Sequence, residues 1–64
     1  MICINGIEIE KASIKLSTYL SENNLFASRI AVELNGEILP KTKYDETELK
    51  DGDVVEIVNF VGGG

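Results

Sequence analysis

Apolar and polar residues alternate over the first ten positions. Ile2, Ile4, Ile7 and Ile9 are interleaved with Cys3, Glu8 and Glu10, and Asn5-Gly6 separates the two runs. Asn-Gly suits a type I′ turn, because both central positions of that turn need positive φ. A two-residue loop pairs Ile4 with Ile7 and Ile2 with Ile9. All four isoleucines then share one face, and Cys3 stands opposite Glu8 on the other.

Over residues 14–24 the period changes to that of a helix. Leu16, Tyr19 and Leu20 form one stripe, while Ser17, Thr18, Ser21 and Glu22 take the other side. Ser13 and Ser17 are both candidate caps, and Asn23-Asn24 ends the element, because Asn tolerates the left-handed conformation. Leu25 and Phe26 are expected to fold back onto the core. Alternation returns at Ile30, Val32 and Leu34, before Asn35-Gly36. A two-residue loop there sets Leu34 against Glu37, so a bulged three-residue loop pairing Leu34 with Ile38 is expected. Pro40 ends the pairing. Residues 41–53 read as a long polar loop with a short turn of helix, anchored by Tyr44 and Leu49, and Asp51-Gly52-Asp53 signals a turn. Residues 54–60, Val-Val-Glu-Ile-Val-Asn-Phe, are nearly continuous in apolar content and predict a central strand covered on both sides for part of its length.

The order is hairpin, helix, hairpin, loop, strand. A helix following a hairpin must cover the sheet's apolar face. The pattern resembles the β-grasp, or ubiquitin-like, fold: an α+β domain with a mixed sheet of four to five strands and one main helix across it. That likeness, rather than periodicity, implies the sheet order, with the last strand central and parallel to the first.

At 64 residues the chain is expected to form a single domain, 1–64, with a flexible tail at 61–64. Cys3 is the one cysteine and there is no His, so neither an internal disulfide nor a zinc set can be assembled. The missing His also removes the commonest acid–base residue, and no nucleophile elbow or phosphate-cradling loop occurs. An independent enzyme is not expected. Eleven acidic against six basic residues give a net charge of −5, which disfavours nucleic acid and suits a positively charged docking face. No apolar run spans a bilayer and no signal peptide is read at the N-terminus, so the expected location is the cytoplasm.

Gly62-Gly63-Gly64 makes no sense as a fold element, since glycine has the most backbone freedom to lose and no side chain to bury. It reads either as a bland flexible end or as a slender arm carrying a reactive carboxylate. Extended at about 3.3–3.6 Å per residue, positions 60–64 reach about 17 Å and fit a narrow channel. With Asp51-Gly52-Asp53 before Val54-Val55-Glu56-Ile57-Val58, and the run on through Asn59-Phe60-Val61 to the glycines, the chain resembles the ThiS family of thiamin-biosynthesis sulfur carriers along its whole length. It departs from the family at the helix start, where Lys15 stands in a position often held by Thr.

The resemblance implies a mechanism. A ThiF-type adenylating enzyme, using ATP and Mg²⁺, joins the Gly64 carboxylate to AMP. Sulfur from a cysteine desulfurase or another donor displaces AMP, and the Gly64 thiocarboxylate delivers it to thiazole synthase. The domain itself binds no cofactor or metal and is expected to be a monomer when free. Gly64 is then the carrier group, with Phe60, Val61, Gly62 and Gly63 as partner-binding residues.

Phe60 and Val61 stand where sheet becomes arm, and either finish the core or touch the partner. Cys3, with no basic neighbour in its strand, reads as a structural thiol. Asp45, Glu46, Glu48, Asp51 and Asp53 read as a solvated loop with turn formers, and Tyr19 and Tyr44 as packing residues. Asn5, Gly6, Asn35 and Gly36 read as turn residues only. Rival readings are the small subunit of molybdopterin synthase, a ubiquitin-like modifier joined to lysines, and a structural interaction domain that tolerates loss of Gly63-Gly64.

Overall fold

The computed structural model describes residues 1–60; positions 61–64, and with them the expected flexible tail, lie outside the described residues. The chain opens with the expected hairpin of β1 (Ile2–Ile4) and β2 (Ile7–Ile9), in the register Ile2 with Ile9, Cys3 with Glu8 and Ile4 with Ile7. Asn5 and Gly6 both take positive φ, 52° and 81°, as the turn requires. Ile2 and Ile4 are buried, whereas Ile9 is half-buried and Ile7 projects past the edge of the core at 69% exposure.

The helical pattern over 14–24 resolves into two elements. Ser13–Lys15 is a strand, β3, and only Leu16–Glu22 is helix, α1. Ile14 is β-branched and has a partner waiting: β3 pairs antiparallel with β6 (Glu48–Lys50), setting Ile14 against Leu49 with both side chains buried. Neither Ser13 nor Ser17 caps the helix; Lys15 is the N-cap, with no side-chain bond, and the Leu16 amide donates to the Thr47 carbonyl at 3.0 Å. At the other end Asn24 takes φ 57°, the left-handed turn expected of an Asn. Leu25 folds back against the core, but Phe26 stays 63% exposed.

β4 (Ile30–Leu34) and β5 (Glu37–Leu39) form the second hairpin, and here the bulged loop is corrected: Leu34 pairs with Glu37 across a two-residue turn. Asn35 and Gly36 hold φ of 51° and 86°, so the turn geometry outweighs the apolar match. The core face is satisfied instead by Leu39 opposite Val32, and Ile38 points outward at 69% exposure. The polar stretch that follows is not one loop. It holds a 3₁₀ helix, Lys41–Glu46, and then β6, which bring the expected anchors Tyr44 and Leu49 into the core.

β7 (Val54–Asn59) is central, in a five-stranded mixed sheet ordered β2-β1-β7-β4-β5, parallel to β1 and antiparallel to β4. This is the β-grasp arrangement, with α1 covering one face. Val55 and Ile57 enter the core with Ile2, Ile4, Ile30 and Val32. The expected cover on both sides is corrected: Val54 and Val58 remain 48% and 56% exposed, because helix and core occupy one face only.

Candidate functional site

The end of β7 is the place where the sheet hands the chain on towards positions 61–64. The Ile30–Asn59 pair closes the β4–β7 ladder, and the Phe60 amide then donates to the Arg29 carbonyl at 2.7 Å. That bond fixes the backbone up to Phe60. Phe60 itself is half exposed, so it does not finish the core. Val61, Gly62, Gly63 and Gly64 lie outside the described residues. Beside Phe60, the Arg29 guanidinium stands 6.0 Å from the centroid of the exposed Phe26 ring, a cation–π contact.

β7 is held from both flanks by side chains that sequence reasoning assigned only to turns. On one flank β1 ends at Ile4, and the Asn5 side chain continues the ladder beyond it. Asn5 Oδ1 accepts the Ile57 amide at 2.7 Å, and Asn5 Nδ2 donates to the Ile57 carbonyl at 3.2 Å. On the other, Asn35 Oδ1 accepts the Val54 amide at 2.9 Å, while its Nδ2 donates to Asp53 Oδ1 at 3.1 Å. An Asn-Gly turn signals the hairpin in the sequence; nothing there shows that each Asn amide faces a strand about fifty or twenty positions away.

Other candidate chemistry is sparse. Cys3 is a half-buried, free thiol in mid-strand, paired with Glu8 and Val54. Among the described residues no group of His, Cys, Asp and Glu could hold a metal ion. A groove of about 420 Å³ lies between α1 and the 3₁₀ helix, bordered by Leu20, Leu25, Phe26 and Tyr44, and its one charged lining residue is Asp45. A lone carboxylate there has no base, nucleophile or cation to work with. No helix among the described residues is long and apolar enough to cross a membrane. What the geometry provides is a rigid base, built around β7, for a segment beyond Phe60.

Comparison with known proteins decides the kinship. The model of the ThiS family matches residues 2–64. The chain belongs to the ThiS family. It is 51% identical over 49 residues to the sulfur carrier protein ThiS of Bacillus subtilis, covering 77% of this chain and 68% of that one. A crystal structure of the thiamine biosynthesis protein ThiS from Geobacter metallireducens superposes with a TM-score of 0.75 at 37% identity, covering 98% and 97% of the two chains. With relatives named as sulfur carriers, the chain is a carrier rather than a catalyst. It is also 42% identical, over 98% of its length, to part of a thiazole synthase of Paramagnetospirillum magneticum, spanning only 20% of that longer protein.

Proposed function

We propose that the Gly64 carboxylate is the working group of a sulfur carrier in thiamin biosynthesis. The observation that carries this reading is family membership over residues 2–64, a match that extends through the terminal glycines. A carboxylate is a poor acyl donor. In the proposed cycle a Gly64 oxygen attacks the α-phosphorus of ATP, which is bound with Mg²⁺ by a ThiF-type adenylating enzyme, and pyrophosphate leaves. The terminal sulfur of a cysteine-desulfurase persulfide, or of an equivalent donor, then attacks the acyl carbon and displaces AMP, giving an acyl disulfide. A second thiol attacks the donor cysteine's sulfur, forms a disulfide with it and releases the thiocarboxylate. Thiazole synthase takes the sulfur, and an oxygen from water or from the acceptor substrate replaces it on the acyl carbon, which restores the carboxylate. The similarity to a segment of a longer thiazole synthase supports that acceptor.

Gly62, Gly63 and Gly64 lack a Cβ, which suits a carbonyl that must be attacked repeatedly in a crowded channel. Phe60 and Val61 serve as the partner's first contacts at the base of the arm; the exposure of Phe60 supports this. The carrier binds no cofactor of its own, works as a monomer when free, and acts in the cytoplasm alongside ATP and its adenylating partner.

Intact mass measurement after incubation with ATP, adenylating enzyme and a sulfur source tests the reading. The expected result is a gain equal to exchange of one oxygen for sulfur, mapped to Gly64. Deleting Gly64, or extending the chain past it with a tag, should abolish the gain while the circular dichroism spectrum stays that of the parent. Normal loading of the tagged chain refutes the assignment.

A further inference from the structure

Arg29 is the one arginine of the chain, and no other Lys or Arg occurs in residues 23–40 or 51–64, the stretches that hold β4, β5 and β7. In a protein of net charge −5 such a cation has many carboxylates to choose from. Yet Arg29 takes part in no ion pair among the described residues, where the pairs are the Met1 amine with Asp51 and Lys43 with Glu46. Arg29 is exposed, and its guanidinium stands over the ring of Phe26, itself 63% exposed. An aromatic ring steadies a guanidinium and leaves its N–H fork to a second partner, and the geometry of that fork matches a carboxylate.

This cation lies at the root of the arm. The Arg29 carbonyl accepts the Phe60 amide at 2.7 Å, so the two residues are neighbours just past the last rung of the β4–β7 ladder. Four residues follow Phe60, and Gly64 carries the carboxylate. Fully extended, they place that group about 14 Å away. Reversed, they bring it back: a β-turn holds its first and last residues within about 7 Å, so a turn over positions 61–64 returns Gly64 to the side of Val61 and the neighbourhood of Arg29. The central positions of such a turn are Gly62 and Gly63, which accept the φ of any turn type.

We propose that Arg29, backed by Phe26, is a binding site for the chain's own terminal carboxylate, so that the arm alternates between an extended state and a returned one with Gly64 paired to Arg29. Charge complementarity and the short tether select this occupant. A group on a short tether is present at millimolar effective concentration, above that of a second copy of the chain in micromolar solution. A thiocarboxylate carries the same charge and suits the same fork. The site stands without the carrier reading; its role rests on that reading, in which the returned arm is withheld until a partner captures the extended one. An exposed pair is weak and screened by salt, so both states are populated, and abolishing the returned state improves apparent affinity for a partner by at most about fivefold.

Nuclear magnetic resonance of the isotope-labelled full chain at low salt tests the site. Arg29→Gln should move the amide resonances of Gly63 and Gly64 to random-coil positions and lower their heteronuclear Overhauser effects. Lys11→Gln makes the same change in net charge beyond β2, at the opposite end of the sheet, and should leave them as in wild type. Wild type in about 1 M sodium chloride should reproduce the Arg29→Gln spectrum of the arm, and carries the test if the variant does not fold. Random-coil positions already in low-salt wild type, the same change from Lys11→Gln, or shifts that depend on protein concentration overturn the intramolecular site. ATP–pyrophosphate exchange by a ThiF-type adenylating enzyme, compared at one low salt concentration, tests the role: Arg29→Gln should lower KM by about two- to fivefold with kcat unchanged. A KM that stays or rises overturns the withheld state. Wild-type chain that supports no exchange overturns the carrier reading and that role with it, while the resonances still decide the site.

Discussion

Asn5 and Asn35 occupy equivalent places in their two hairpins, yet they differ in what their side chains hold. The Asn5 amide is part-buried and satisfies both backbone groups of Ile57, while Asn35 is exposed and satisfies one group of Val54. Glycine tolerates the positive φ at either place, so a glycine substitution removes the clamp without forbidding the turn. Asn5→Gly should cost about 1–2 kcal/mol, since it strands backbone groups in a partly dry site. Asn35→Gly should cost less, because water reaches Val54. Urea denaturation of the two variants checks this ordering, and equal costs would mean that the Asn5 clamp adds nothing beyond its turn.

At the scale of elements, the β3–β6 pair is the feature that periodicity hides. Each strand has three residues, too few to establish a period of two, and Ile14 lies close enough to Leu16 to be read into the helical stripe. Pairing decides the matter: Ile14 and Leu49 meet across the ladder, and Leu49 is fully buried. This small sheet also receives the start of α1, whose first amide is satisfied by Thr47 in place of a side-chain cap. Leu49→Ala should therefore cost about 2–5 kcal/mol, a large part of what so small a domain has. Ile38→Ala, on the open face, should stay within about 0.5 kcal/mol. Denaturant midpoints separate the two; a neutral Leu49→Ala would show that the β3–β6 sheet is not part of the cooperative core.

As a whole molecule the chain is small, acidic and built around one apolar cluster. Its described residues assemble no catalytic set, and the proposed chemistry belongs to the enzymes that handle the arm. On the carrier reading, a net charge of −5 makes recognition by those enzymes expected to depend on surface charge. The screening length falls from about 10 Å at 0.1 M salt to about 3 Å at 1 M. The KM for adenylation should accordingly rise with ionic strength. ATP–pyrophosphate exchange by the adenylating enzyme, followed across a sodium chloride series, measures the slope. A wild-type KM indifferent to salt would exclude electrostatic recognition.

By itself the sequence determined the first hairpin and its register, the helical stripe of Leu16, Tyr19 and Leu20, the anchoring of Tyr44 and Leu49, and the family. These rest on local rules: an alternating pattern joined by Asn-Gly leaves little choice of pairing, and buried positions declare themselves by apolar spacing. Tertiary structure alone decided the rest. The second hairpin took the tight turn because Asn35 and Gly36 accept positive φ and Leu39 fills the core position that the tight register leaves to it. Val54 and Val58 are apolar in sequence and open in space, since a domain this size has one helix and covers one face. The amides of Asn5 and Asn35, and the meeting of Glu33 with Glu56, depend on strands distant in sequence becoming neighbours. No local pattern encodes that proximity; it arises only when β7 enters the centre of the sheet.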